Sequence, residues 1–304
     1  MSLIFSIFIN DIAPIFILAA VGFYLARRTG ASVKTLSAVS FHALSPCLVF
    51  DQLVTSRVGL SQSWRVVAFC LLITAAIGVA AFSAAAALRL EGATRTSFLL
   101  VVMFSNSGNY ALPVVLFAFG QGALAFASVY FVTSALLVYS VGVVVAASGR
   151  GSLKAALTAV LRVPAMWAVV AALIVLASGV TVPMPVMRPI GLLSNAAIPV
   201  MLLVLGAQLE RHTRTEHPAA VASAVGLSLV VAPILAFGLA GLLGLEGAAR
   251  QAAIIEASMP AAVATTVLAL EFELDANLST SVVLFSTILS PFTLVLLIAY
   301  LRSS

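Results

Sequence analysis

Two stretches of the chain nearly repeat each other. Positions 90–95 read LEGATR and positions 245–250 read LEGAAR, 155 positions apart (Arg95 to Arg250), about half of the 304 residues. A duplication at that spacing restricts the fold to two related halves. Only 8% of the residues are charged and 62% are hydrophobic, against roughly a quarter charged in a soluble domain. So few charges cannot cover a water-facing surface, and the duplicated halves belong in a bilayer. Secondary transporters are often assembled in this way, with the substrate handled where the halves meet.

The apolar runs are long and do not alternate, which indicates helices; a membrane barrel would show alternating segments of about ten residues. Ten spans of about twenty residues are predicted, at 3–26, 33–54, 65–88, 96–119, 123–147, 161–178, 187–209, 218–243, 249–270 and 278–301. Positions 1–10 carry no basic residue and their apolar run continues to Ala26, so the start reads as the first span and not as a cleaved signal. The polar stretch 148–152 marks the midpoint. It gives a first five-helix repeat over 1–147, a linker over 148–158 and a second repeat over 159–304. Cys47 and Cys70 sit in apolar runs and read as small packing residues. Basic residues are scattered singly, which speaks for membrane orientation and against nucleic acid as a partner.

With the N-terminus outside, the inner loops hold Arg27, Arg28, Lys34, Arg89, Arg95, Arg150, Lys154, Arg162, Arg211 and Arg214. Arg57, Arg65, Arg188, Arg250 and Arg302 remain outside. The positive-inside rule therefore favours both termini outside; the expected location is a bacterial inner membrane, with that side periplasmic. Five spans per half is an odd number, so the second half enters inverted. Pro14 with Pro164, Pro46 with Pro199, and Ser128 and Thr133 with Ser281 and Ser286 recur at nearly the same offset. The expected architecture is all-α: ten transmembrane helices in two inverted five-helix repeats.

Spans four and nine are interrupted. Span four contains Ser105, Asn106, Ser107, Gly108, Asn109, Tyr110 and Pro113. Asparagine, glycine and proline are poor helix residues, and proline also withholds a donor. Span nine holds the counterpart, Glu256, Ser258, Met259 and Pro260, with Pro260 opposite Ser105 at the offset of the repeat. Irregular backbone at membrane depth is tolerated only where protein or a cavity satisfies it. Two breaks at matching depth are the best pointer in a sequence to a transport site. A pair of proline kinks would explain the prolines but not the polar residues beside them.

Glu256 stands about seven residues into its span, on the same face as Pro260. A charge at mid-membrane costs roughly 2.5–3.5 kcal/mol on insertion scales, so it has a partner or a task. It reads as a proton carrier, a sodium ligand, or a structural acid bonded to Asn106 or Asn109. Candidate substrate-binding residues are Asn106, Asn109, Tyr110 and Pro113 at the first break, Ser258 and Pro260 at the second, and Asn195 in span seven. Asp11, His42 and Asp51 are possible cavity residues. Ser128 and Thr133 read as hydroxyls bonded to their own backbone or as ion ligands.

At these residues the chain resembles the auxin efflux carrier family, bacterial relatives of the plant PIN exporters. The likeness spans nearly the whole length. It is carried by 105–113, by Ile198-Pro199 and Leu205-Gly206-Ala207-Gln208-Leu209, by Glu256-Ala257-Ser258-Met259-Pro260, and by Phe285-Ser286-Thr287-Ile288-Leu289-Ser290. The resemblance implies that broken helices four and nine cross in mid-membrane. It implies a scaffold of spans one, two, six and seven, a possible homodimer through that scaffold, and a mobile unit made of the rest. It also implies transport of organic anions such as auxin-like acids or dicarboxylates. The distantly similar bile-acid sodium symporters use a glutamate, an asparagine and hydroxyls around the crossover. By position Ser105, Asn106, Ser128, Thr133 and Glu256 would correspond, with sodium at Glu256 and Asn106. The long cytoplasmic loop of the PIN exporters is missing; only a short linker stands there.

The expected function is a secondary carrier, an exporter of small organic anions working by alternating access, with no cofactor beyond a coupling sodium ion or proton. The alternatives are a sodium- or proton-coupled symporter and an anion channel. A channel would want polar rings along a pore, whereas the polar residues here gather at one depth. No HExxH motif or hydrolase-like Ser/His/Asp spacing suggests an enzyme.

Overall fold

The two copies of the repeated motif adopt the same backbone. In the computed structural model, which describes residues 3–56, 60–147, 161, 163–209 and 217–303, Leu90 and Leu245 each donate their N–H five residues back, to Ala85 and Ala240, at 2.9 Å. The preceding residues, Arg89 and Gly244, are left-handed, with φ of 53° and 60°. This closes the helix before the motif by satisfying its last carbonyls. Glu91 and Glu246 are extended, with φ/ψ of −130°/163° and −132°/159°. Gly92 and Gly247 then open the next helices at φ 52° and 49°, a conformation that favours glycine in the motif.

Among the described residues the chain is helical, without strands, and seven helices are long and apolar enough to cross a membrane. They are α1 (Leu3–Thr29), α2 (Val33–Thr55), α3 (Gln62–Ala87), α5 (Ser107–Ala146), α7 (Met184–Leu209), α8 (Pro218–Leu242) and α11 (Ala276–Ser303). Shorter helices are α4 (Gly92–Met103), α6 (Pro164–Ser178), α9 (Gly247–Ala257) and α10 (Val263–Glu271). The 40 residues of α5 would measure about 60 Å as one rod, twice the hydrocarbon thickness. Gly120, at φ 78° and ψ −169°, divides them into two arms, between the fourth and fifth expected spans. The expected linker at 148–158 lies outside the described residues.

Five wide π turns interrupt these helices, at Phe8–Ile12, Ser40–Leu44, Ser107–Ala111, Val138–Gly142 and Leu227–Val231. Four of them end two residues before a proline: Pro14, Pro46, Pro113 and Pro233. The reason is local. Proline clashes with the carbonyl four residues back and offers it no donor, and widening the preceding turn relieves both problems. Prolines in these spans therefore re-aim a helix without ending it.

One unit consists of α1, α2, α6 and α7 packed on one another. Its tightest point is the crossing of α1 and α7. A Cβ at Gly22 would lie 2.1 Å from the Leu203 carbonyl oxygen, and one at Gly206 would lie 1.7 Å from that of Ala19. Small residues let two helix backbones touch, which is the main source of helix association in lipid. The other unit holds α3, α4, α8, α9, α10 and α11 around α5. Its centre is the pair of chain breaks.

Candidate functional site

α4 stops at Met103 and α5 begins at Ser107; α9 stops at Ala257 and α10 begins at Val263. The two gaps lie side by side as one antiparallel bridge between Ser105 and Ala261. Asn106 donates its N–H to the Pro260 carbonyl at 2.7 Å, and Ala262 donates to the Phe104 carbonyl at 2.9 Å. The Ala261 N–H reaches the Ser286 hydroxyl of α11 at 3.2 Å. Each break thus satisfies backbone groups freed by the other, as the interior of a membrane demands. The pairing is one residue away from the register of the sequence repeat, Ser105 facing Ala261 and not Pro260.

Polarity fixes what this junction offers. α4 and α9 bring their C-terminal ends to it, and α5 and α10 start from it. Ser107, Gly108 and Asn109 in the first turn of α5, and Val263 and Ala264 in that of α10, line a cavity of about 240 Å³. Helix N-termini carry partial positive charge and unpaired N–H groups, a setting suited to anions. Ser105 and Asn106 complete the polar end, and the Asn106 Nδ2 is buried without a partner among the described residues. The walls are mainly apolar, with Phe41, Phe131, Tyr139 and Met201; no lysine, arginine or histidine lines the cavity among the described residues, and Glu271 is its one acid. Gly108 leaves room there: a Cβ on it would press 2.9 Å from the Phe131 ring.

A second, much smaller space of about 20 Å³ lies behind the breaks, bounded by Thr74, Ser105, Tyr130, Ser228, Ala257 and Met259. It is large enough for one water-sized occupant. Ser105 borders both spaces. Glu256, the residue before Ala257, is fully buried, and neither of its carboxylate oxygens has a hydrogen-bond partner among the described residues. The expected bond from Glu256 to Asn106 or Asn109 is therefore not made. Cys70 and Tyr130 are its electrostatic neighbours.

The other candidate residues fall into two groups. Tyr110 is fully buried and its hydroxyl meets that of Ser290 at 2.9 Å. Pro113 and Ser258 are buried, and the Ser258 hydroxyl bonds the Ile254 carbonyl at 2.6 Å. Ser128 and Thr133 donate to the carbonyls of Leu124 and Val129, at 2.9 and 2.8 Å. These residues shape the backbone around the junction without lining the larger cavity. His42 and Asn195 are exposed, and Asp51 is half-buried; none of the three lines that cavity, contrary to expectation. The wide turn at Ser40–Leu44 instead presents Ser40 and Phe41, with Ser37 and Ser45 on the same helix. Asp11 is also absent from the lining; it pairs with Arg302 at 2.8 Å. Sequence reasoning missed the serines of α2: a spacing of three and then five does not mark one face of an α-helix, and the wide turn at Ser40–Leu44 accommodates the extra residue.

Comparison with known proteins agrees with this geometry. The family described as "Membrane transport protein" matches the chain twice, over residues 7–158 and 148–298. An uncharacterized transporter of Methanothermobacter thermautotrophicus is 30% identical over 261 residues, covering 84% of this chain and 85% of the relative. An uncharacterized transporter of Methanocaldococcus jannaschii is 27% identical over 196 residues, covering 63% of this chain and 64% of the relative. The apolar helices and these matches together support an integral membrane transport protein. The chain belongs to the membrane transport protein family, that of the auxin efflux carriers.

Proposed function

We propose that this protein is a secondary carrier that exports small organic anions by alternating access at the junction of the two breaks. The observation that carries the reading is the cavity on which the first turns of α5 and α10 converge. Two helix N-termini supply positive potential where no basic side chain does. A carboxylate would sit against 107–109 and 263–264, with the Asn106 Nδ2 as an added donor. The aromatic and aliphatic walls would take an apolar body. That lining favours auxin-like monocarboxylic acids over dicarboxylates, whose second charge would face Phe41, Phe131 or the Glu271 carboxylate.

The ten-span, inverted-repeat plan belongs to this reading. Three observations support it: the family matches each half, the two motifs share a backbone, and the breaks run antiparallel. With an odd number of spans per half, both termini would lie on the periplasmic side of an inner membrane, and the cavity would open to the cytoplasm. Uptake of the anion from that side, followed by export, would draw on the membrane potential, worth about 2.3 kcal/mol per charge per 100 mV.

A coupled mechanism is the second reading, favoured by Glu256. A fully buried carboxylate without a partner calls for a proton or a cation. The small space beside Ala257, with Thr74, Ser228 and Ser105 around it, has the size and oxygen donors for one sodium ion. The residues fit such an ion, and its binding there would charge-balance Glu256.

Purified protein in proteoliposomes tests the carrier reading. Flux of a labelled aryl-acetate should saturate and should accelerate when unlabelled acid is present on the opposite side, while succinate competes poorly. Flux that rises linearly with concentration and ignores the opposite side would replace the carrier with a channel.

A further inference from the structure

We propose that the Asp11–Arg302 ion pair is a latch that keeps the protein open toward one membrane face only; the proposal rests on the carrier reading above. α1 starts and α11 ends on one face, where both termini lie. α1 ends, α2 starts, and α10 passes to α11 on the other. The cavity reaches Ser37 near the start of α2, Gln208 at the end of α7 and Glu271 at the end of α10, so its mouth lies on the face opposite the termini.

On the terminal face Arg302 ties the two units together. Its Nη1 lies 2.8 Å from the Asp11 Oδ2, and its Nε and Nη2 donate to the Ala118 carbonyl at 3.1 and 2.7 Å. Ala118 is two residues before the turn at Gly120. The guanidinium therefore joins α11, the end of the first arm of α5, and α1. The Asp11 side chain is 6% exposed and that of Arg302 32%, so the pair is sheltered enough to bias a conformational equilibrium.

The partners divide by unit. Asp11 belongs to α1, clamped to α7 by Gly22 and Gly206. Arg302 and Ala118 belong to the unit that contains both breaks. Opening the terminal face requires α1 to part from α5 and α11. The Arg302–Ala118 bonds can survive that movement, but the Arg302–Asp11 pair cannot. On the opposite face the contacts of Asp275 stay within one unit. There Asp275 meets Thr94 at 3.1 Å and His217 at 4.0 Å, and caps Leu278 at 2.9 Å, all on helices of the second unit. The latch is one-sided and favours the state seen here.

Cysteine accessibility tests it independently of transport. The reporter is Ser134→Cys, in the cavity wall, with Cys47→Ala and Cys70→Ala removing the native thiols. A membrane-impermeant maleimide is applied to each face of oriented vesicles. With the latch intact, labelling should come from the mouth face. Asp11→Asn should raise the terminal-to-mouth labelling ratio roughly tenfold, and so should Arg302→Gln and the double variant, with the charge-swapped pair Asp11→Arg/Arg302→Asp reverting toward the parent. Asp11→Asn keeps shape and leaves no unpaired buried acid, and the double variant leaves no unpaired charge, so the test survives if Arg302→Gln alone fails to insert. Inserted variants with the parental ratio would overturn the latch. Equal labelling of the parent from both faces would also overturn the latch, whereas the carrier reading falls only if flux neither saturates nor responds to acid on the opposite side.

Discussion

The molecule contains two helix crossings of opposite character. Where α1 meets α7, glycines bring the backbones into contact. Where the two breaks meet, the backbones bond each other through Asn106, Pro260, Phe104 and Ala262, yet the Asn106 Nδ2 and both Glu256 carboxylate oxygens have no hydrogen-bond partner among the described residues. The first crossing joins two intact helices at close range. The second stays irregular although lipid penalises every unsatisfied group. On the carrier reading proposed above, the first crossing would be the support and the second the place where a solute is handled.

The two breaks also differ from each other within one backbone plan. The first carries Ser105, Asn106, Ser107 and Asn109 into the larger cavity. The second contributes backbone, Pro260 and small residues, and keeps its acid, Glu256, one residue before the wall of the smaller space. On the proposed reading, substrate contact and ion coupling would fall on opposite sides of the junction, with Ser105 bordering both spaces.

The largest effect should come from breaking the glycine crossing. Gly206→Ala would set a Cβ 1.7 Å from the Ala19 carbonyl oxygen and force α1 from α7, a loss of about 3 kcal/mol or more. Membrane yield and the melting temperature in detergent should both collapse. Next comes Glu256→Gln, which should leave insertion intact and lower coupled flux by roughly tenfold or more, abolishing its dependence on pH or sodium. Unchanged flux with unchanged dependence would remove Glu256 from coupling and leave the junction a plain anion site. Asn106→Ala, at the first break, should raise the KM for the acid by roughly tenfold with little change in thermal stability, the reverse of the glycine variant. The smallest effect is expected from Gly108→Ala, whose methyl would lean on Phe131 at 2.9 Å. A few-fold higher KM for bulky aryl acids than for short ones would show that this wall measures size.

Much of the architecture was legible because it is local. Charge scarcity dictated the bilayer, and apolar run length dictated helices. The LEGATR and LEGAAR copies announced a shared turn whose glycines occupy positive φ. Asn, Gly and Pro at 105–113, and Pro260 in its span, announced where the hydrogen-bond ladder fails, since those defects follow from the residue's own backbone. What misled was depth without direction. His42 and Asn195 stand at plausible depths beside prolines, but a wide π turn and the packing of α7 leave them on exposed faces. Asp11 read as a cavity residue and is an ion-pair partner of a residue 291 positions away (Asp11 to Arg302).

The amino-acid order alone settled the helical class and the two points of interruption, and pointed to the bilayer and to a duplication, because each depends on the chemistry of neighbouring residues. Tertiary structure decided that Ser105 faces Ala261, that Asn106 lines the larger cavity while Glu256 does not, and that Arg302 reaches Asp11. Those outcomes depend on how helices far apart in the chain rotate against one another. In a chain that is apolar almost everywhere, hydrophobic pattern does not fix that rotation; glycine contacts, proline-relieving π turns and the pairing of freed backbone groups do.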